Sequence, residues 1–233
     1  DLQSGLFTTY IPQPKSGGKI GIFADDTLTL AIDKNYLIAR DKVQNHLDDI
    51  SKWTKTNRIK LNETKSVEVV FTNRKYVHSP LILNNTIPHE NSAKYLGLNL
   101  DAKLRWKHHI KMKKVQTELK FRQMLWLLGR KSKLSLSNKI LLYKTMLRPI
   151  WSYGCMLWGC ASKTNVKLVI TLQNKILRTI TKARWYERNV DILRDLGIES
   201  VEEYNTKMYN SYEDRLHNHP NAEAVMLLDS GGS

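Results

Sequence analysis

Cysteine is almost missing from this sequence: its 233 residues include two, Cys155 and Cys160. That excludes a disulfide framework, and the apolar setting Tyr153-Gly-Cys-Met-Leu-Trp-Gly-Cys predicts buried, reduced thiols in a reducing compartment. Zinc bound by these cysteines needs further ligands, and the nearest histidine pair, His108-His109, falls on a different expected element. Long apolar runs are missing as well. Residues 124–128 are closed off by Gly129 and Arg130, far short of the roughly eighteen residues that read as a membrane span. A soluble protein without membrane partners is expected. No repeat or long low-complexity segment is present. There is no initiator Met and no signal-like segment near Asp1, and the end, Asp229-Ser-Gly-Gly-Ser, has a linker's composition, so both ends are expected to be truncations.

Acidic residues are scarce in one region above all. The whole chain carries 37 basic and 22 acidic residues, a net charge of +15. Between residues 103 and 148, fourteen Lys and Arg face a single acid, Glu118, whereas the first hundred residues are near balance and the stretch after Glu187 turns acidic. Charge of one sign concentrated in a central block points to a polyanion, and nucleic-acid phosphates suit it better than solvent alone.

What is present in the first hundred residues is mixed α and β. Residues 19–23 and 27–32 are two β-favouring runs around Ala24-Asp25-Asp26, which predicts a hairpin with an acidic turn. Val43, Leu47, Ile50 and Trp53 recur at three and four within residues 36–53, a helix with one stripe toward a sheet. Residues 65–71 read as a strand, residues 81–83 and 86–88 flank an Asn84-Asn85 turn, and residues 94–100 read as a strand or hairpin arm. From Trp106 onward helical periods take over: residues 107–128, 135–147, 165–180 (with Val169, Leu172, Ile176 and Ile180), 189–196 and 201–216, punctuated by Gly129, Pro149, Gly154, Gly159 and Gly197. The composition shifts near residue 101.

Neighbouring side chains on a flat strand point to opposite faces, so two adjacent aspartates share a site only where the chain turns sharply. Asp25 and Asp26 occupy such a turn, gripped by apolar runs on both sides. Carboxylates this close repel unless a hard cation neutralises them, and two-metal phosphoryl-transfer sites use that arrangement. A bare Asp-Asp pair is otherwise an ordinary solvated turn.

Phe23-Ala24-Asp25-Asp26 resembles the aromatic-Ala-Asp-Asp signature of the reverse transcriptase palm. Leu61-Asn-Glu-Thr-Lys-Ser-Val-Glu-Val-Val-Phe resembles the palm motif that follows it, and Lys94-Tyr-Leu-Gly-Leu-Asn-Leu-Asp resembles the primer grip. Leu104-Arg-Trp-Lys-His-His-Ile, Leu147-Arg-Pro-Ile-Trp-Ser-Tyr-Gly-Cys-Met-Leu-Trp-Gly and Gln173-Asn-Lys-Ile-Leu-Arg-Thr-Ile resemble thumb and post-thumb signatures of jockey-like non-LTR retrotransposons. The resemblance covers nearly all of residues 6–216, with the motifs in order. It implies an α+β chain: a partial palm of antiparallel sheet and helix (1–101), a basic helical thumb and post-thumb (102–188), then C-terminal helices and a tail (189–233). It also implies RNA-directed DNA polymerase descent, with an RNA template, a DNA primer, an RNA–DNA hybrid and deoxynucleotides as partners and Mg2+ as the metal. A nuclear or cytoplasmic, intracellular location is expected, and action in the nucleus is implied by the family alone.

Carried over residue by residue, the resemblance makes Asp25 the more critical metal ligand and Asp26 its neighbour, with Phe23 packed beneath them. Lys65 would lie by the incoming nucleotide's phosphates, where an ammonium stabilises or protonates the departing pyrophosphate. Tyr95, Leu96 and Gly97 would shape the primer grip, Gly97 letting backbone approach the primer closely; an ordinary strand glycine or bulge is the plainer reading. Lys111, Lys114 and Arg122 would touch phosphates of the hybrid. Trp106, Trp126, Trp151 and Trp158 lie among leucines at helical spacing, which favours core over base stacking.

The sequence also departs from the family. The segment with a third catalytic aspartate and the Pro-Gln-Gly-Ser-like stretch have no match, and residues 1–12 resemble only the tail of the latter, with Tyr10 where aspartate is common. The chain alone is therefore expected to be catalytically incomplete, with an exposed sheet edge at the hairpin. The competing reading is a non-catalytic RNA- or DNA-binding remnant that keeps the basic helices. A metal-dependent nuclease ranks below both, because no further acidic or histidine ligands cluster with the Asp pair in the sequence.

Overall fold

A computed structural model of the chain describes residues 11–15, 17–59 and 61–219; Tyr10 and the linker-like end at Asp229 lie outside them. The architecture is α+β and divides into two units, the first running to Ala93 with Asp101–Lys103, the second comprising Lys94–Leu100 and everything from Leu104 onward.

In the first unit, β1 (Gly18–Phe23) and β2 (Asp26–Ala31) form an antiparallel hairpin in the register Gly18↔Ala31 through Phe23↔Asp26. Among the described residues no third strand joins it. Helix α1 (Tyr36–Thr56) starts at Asn35, whose side chain accepts the Leu37 N–H at 3.0 Å. Its buried face includes Leu47 and Ile50, with Val43 and Trp53 half-buried beside them. This stripe packs on β1, β2 and β3 (Ile82–Leu83). Leu47, Leu81, Leu83 and Ile87 make the unit's small core. Strand β4 (Asn85–Thr86) returns on β3 around Asn84, whose φ of 55° suits an asparagine turn. Gln44 on α1 takes the place of a neighbouring strand, accepting from Ile82 N–H at 2.9 Å and donating to Ile82 O at 2.8 Å.

The strand expected at residues 65–71 does not form. A 3-10 turn (Glu63–Lys65) precedes an irregular stretch joined to its neighbour by one bridge, Glu68↔His89. Alternating apolar residues make a strand only where a ladder partner satisfies the backbone, and one bridge does not supply it.

Strands β5 (Ser92–Tyr95) and β6 (Leu98–Asp101) form a hairpin whose tip belongs to the second unit. That unit is otherwise helical: α2 (Lys107–Gln123), α3 (Leu125–Leu128), α4 (Leu136–Leu142), a π-helical turn (Tyr143–Leu147), α5 (Arg148–Ser152), α6 (Cys155–Trp158), α7 (Lys163–Thr181), α8 (Asn189–Asp195) and α9 (Val201–His217). Helix α7 serves two cores. Leu172, Ile176, Leu177 and Ile180 pack with Phe121, Leu128, Tyr143 and Leu147, whereas Val166 and Val169 pack with Trp106, Ile110, Trp151 and Trp158. Each large side chain so buried contributes roughly 1.5–3 kcal/mol. Pro149 does not break the chain of helices as its ring suggests. The π turn ahead of it widens the spiral where the missing N–H and the pyrrolidine ring would disrupt an α-helical bond. No helix among the described residues is long and apolar enough to cross a membrane. Of the two free thiols, Cys155 is buried, which pushes its pKa up to about 11, but Cys160 is exposed, contrary to the expectation that both are buried.

Candidate active site and nucleic-acid interface

The acidic turn is a two-residue hairpin loop. Phe23 pairs with Asp26 across it, and of the loop residues Ala24 and Asp25 only Ala24 has positive φ, at 49°. This is the type II′ pattern, whose first position glycine fills most easily; alanine there costs about 1 kcal/mol. The sharp reversal leaves Asp25 and Asp26 together at the hairpin tip, both exposed. Phe23 is 62% exposed rather than packed beneath them, since no element among the described residues covers that face. Lys65 is exposed in its 3-10 turn, its N–H donating to Asn62 O at 3.2 Å. Among the described residues no hydrogen bond or ion pair links Lys65 to either aspartate. No third His, Cys, Asp or Glu gathers with the Asp pair among the described residues. Two carboxylates are an incomplete donor set for a two-metal site, and that site does not fit the described residues alone.

The β5–β6 tip is a second tight turn, with Leu96 at φ 45° and Gly97 at φ 75°, the type I′ pattern. Its fixing partner is Tyr153, whose hydroxyl donates to Leu96 O at 2.6 Å. A Cβ on Gly97 would come within 3.2 Å of the same ring. Tyr95 and Leu96 are half-buried. Beneath the tip, Asn99 N–H donates to His109 Nδ1 at 3.3 Å, so this fully buried imidazole is neutral with its proton on Nε2, toward Tyr153 O. Burial lowers its pKa accordingly. Lys113 Nζ sits 4.4 Å from the centre of the Tyr153 ring, its pKa lowered by burial and by Lys94. Nothing in the sequence pointed to Tyr153 and His109 as the support of this turn.

The basic block is spread over exposed helix surface. Lys111 and Arg122 are exposed and Lys114 half-buried on α2, and positions 111 and 122 lie three turns apart on one side of the helix. Glu118, the block's single acid, lies between them and pairs with Lys175 of α7 at 3.6 Å. Lys139 departs from the pattern: it is buried, its Nζ donating to Gly129 O at 3.0 Å. Trp106, Trp151 and Trp158 are core as expected, but Trp126 is 76% exposed. Trp185, which the helical periods pass over, is 90% exposed between α7 and α8 with Lys182, Arg184 and Arg188 nearby in sequence. The signal was there, an aromatic pair Trp185-Tyr186 where helical periodicity lapses.

No protein-family model matches the chain, and no solved structure does. Known proteins do. A probable RNA-directed DNA polymerase from transposon X-element of Drosophila melanogaster is 35% identical over 227 residues, 95% of this chain and 25% of the relative. The RNA-directed DNA polymerase from mobile element jockey of the same organism is 35% identical over 209 residues, 89% of this chain and 23% of its own length. A probable RNA-directed DNA polymerase from transposon BS, also of D. melanogaster, is 32% identical over 237 residues, 97% of this chain and 26% of the relative. The chain thus spans about a quarter of the length of these relatives. On identity sustained along nearly its whole length, the chain belongs to the jockey-like non-LTR retrotransposon reverse transcriptase family.

Proposed function

We propose that this chain is the portion of an RNA-directed DNA polymerase that runs from the acidic turn of the palm through the thumb, and that alone it grips primer–template duplex without extending it. The observation that carries the reading is the Ala24-Asp25 turn: a strained loop that holds two adjacent carboxylates out at a hairpin tip, in a chain related to polymerases throughout. In this reading Asp25 and Asp26 are two ligands of a divalent-metal site for Mg2+, and a third carboxylate is needed to complete it. Lys65 serves the phosphates of an incoming deoxynucleotide. Tyr95, Leu96 and Gly97 form the rigid turn that meets the primer strand, held from behind by Tyr153. Lys111, Lys114 and Arg122 contact hybrid phosphates without reading bases.

The test is primer extension on an RNA template with Mg2+, comparing the chain with Asp25→Ala and recording duplex binding in the same samples. Binding without extension, unchanged by the substitution, is expected. Extension that disappears in Asp25→Ala would overturn catalytic incompleteness, and absence of duplex binding would overturn the thumb assignment.

A further inference from the structure

Residues 66–90 of the first unit contain little regular structure, yet three metal-ligating side chains from separate stretches converge there. Glu68 is buried at 8% exposure, and its backbone is tied on both sides to the stretch bearing His89: Glu68 N–H donates to Pro88 O, and Glu90 N–H to Glu68 O, each at 2.9 Å. His78 reaches in from the intervening loop, its Nε2 3.0 Å from Glu68 Oε2. The rings of His78 and His89 lie 4.3 Å apart between centres at 37°. His89 Nε2 is 3.2 Å from the Tyr76 hydroxyl. One ligand atom from each of Glu68, His78 and His89 falls within 4.8 Å of the others.

We propose that Glu68, His78 and His89 form a zinc site that clips this irregular stretch together. A set of two imidazoles and one carboxylate suits Zn2+, whereas Mg2+ and Ca2+ prefer oxygen ligands throughout. Zinc holds such ligands at about 2.0–2.2 Å in a tetrahedron, which puts ligand atoms about 3.3 Å apart. The Glu68–His78 pair is already near that spacing, and rotation of the His89 ring away from Tyr76 brings in the third. The fourth position is left for water, with the Tyr76 hydroxyl beside it as a hydrogen-bond partner. A bound dication would offset the charge of the buried Glu68 carboxylate. The metal would take over the fixing role that a full strand ladder plays elsewhere, since Glu68↔His89 is the single bridge here. The site is separate from the Asp25-Asp26 turn and does not depend on the polymerase reading.

The whole chain is loaded with Zn2+, dialysed and assayed for bound metal, and in parallel loaded with Co2+ for its visible spectrum. One zinc per chain, an intense tetrahedral Co2+ spectrum and a raised melting temperature are expected. His78→Ala and His89→Ala should each weaken zinc binding by about tenfold or more and abolish the zinc-dependent rise in melting temperature, with far-UV circular dichroism confirming that they fold. His108→Ala and Cys160→Ser should bind as the unsubstituted chain does. Absence of retained zinc, or zinc retained in His89→Ala, or zinc lost in Cys160→Ser, would overturn the site. Should His78→Ala fail to fold, His89→Ala and Glu68→Gln decide the matter.

Discussion

Gly97 shows how one residue can be read two ways from sequence and be resolved by its surroundings. Its φ of 75° lies in the left-handed region, and the face a side chain would occupy is filled by the Tyr153 ring. The residue before it, Leu96, accepts both a left-handed φ of 45° and the Tyr153 hydroxyl. Gly97→Ala therefore adds backbone strain to a tight contact. It should destabilise the chain by about 1–2 kcal/mol, read as a lower midpoint in urea with an unchanged slope. A midpoint equal to that of the unsubstituted chain would show that the turn is not held as described. From sequence, residues 94–100 read as one strand or hairpin arm, whereas the chain reverses at Leu96-Gly97, and the support of that turn lies 57 residues away in Tyr153, a separation no local pattern reports. The same holds for Glu68, His78 and His89, which are ordinary polar residues until the chain folds them together.

Among the elements, the segment between α8 and α9 is tied down through Glu199. Its carboxylate accepts from Lys207 of α9 at 2.8 Å and from Arg148 of α5 at 3.0 Å. The Lys207 hydrogen bond, with the charges of Lys207 and Arg148, holds its pKa down to about 2. Because the folded value lies below the ordinary 4.5, the stabilisation is complete above pH 4.5 and is lost as pH falls toward 2. Glu199→Gln should lower stability at neutral pH and flatten the acid loss across that window in urea titrations at stepped pH. An unchanged acid profile would mean that the bridge contributes nothing. Elements with a buried stripe were the legible ones: Val169, Leu172, Ile176 and Ile180 are all buried on α7, because burying one helical face imposes a 3.6-residue repeat on the sequence. The break at Met124 between α2 and α3 has no glycine or proline to announce it. The missing strand at residues 65–71 failed for the opposite reason, a plausible local pattern without a partner to pair with.

At the scale of the whole molecule the sequence was most informative about charge and family. The net charge of +15 and the fourteen-to-one basic block are readable without coordinates. The structure adds that Lys111 and Arg122 are exposed on one side of α2, while Glu118 between them is engaged by Lys175. The Phe23-Ala24-Asp25-Asp26 motif led to the hairpin, and among the described residues no third ligand gathers with the Asp pair. The proposed duplex-gripping role of the basic helices rests on these facts together. It is tested most directly by titrating a labelled RNA–DNA hybrid at stepped salt, comparing the chain with the Lys111→Ala/Arg122→Ala double variant. The account predicts a linear fall of log affinity with log salt for the unsubstituted chain, shallower by a slope of about 2 in the variant and alike for unrelated hybrid sequences. Affinity indifferent to salt, or an identical slope in the variant, would contradict it.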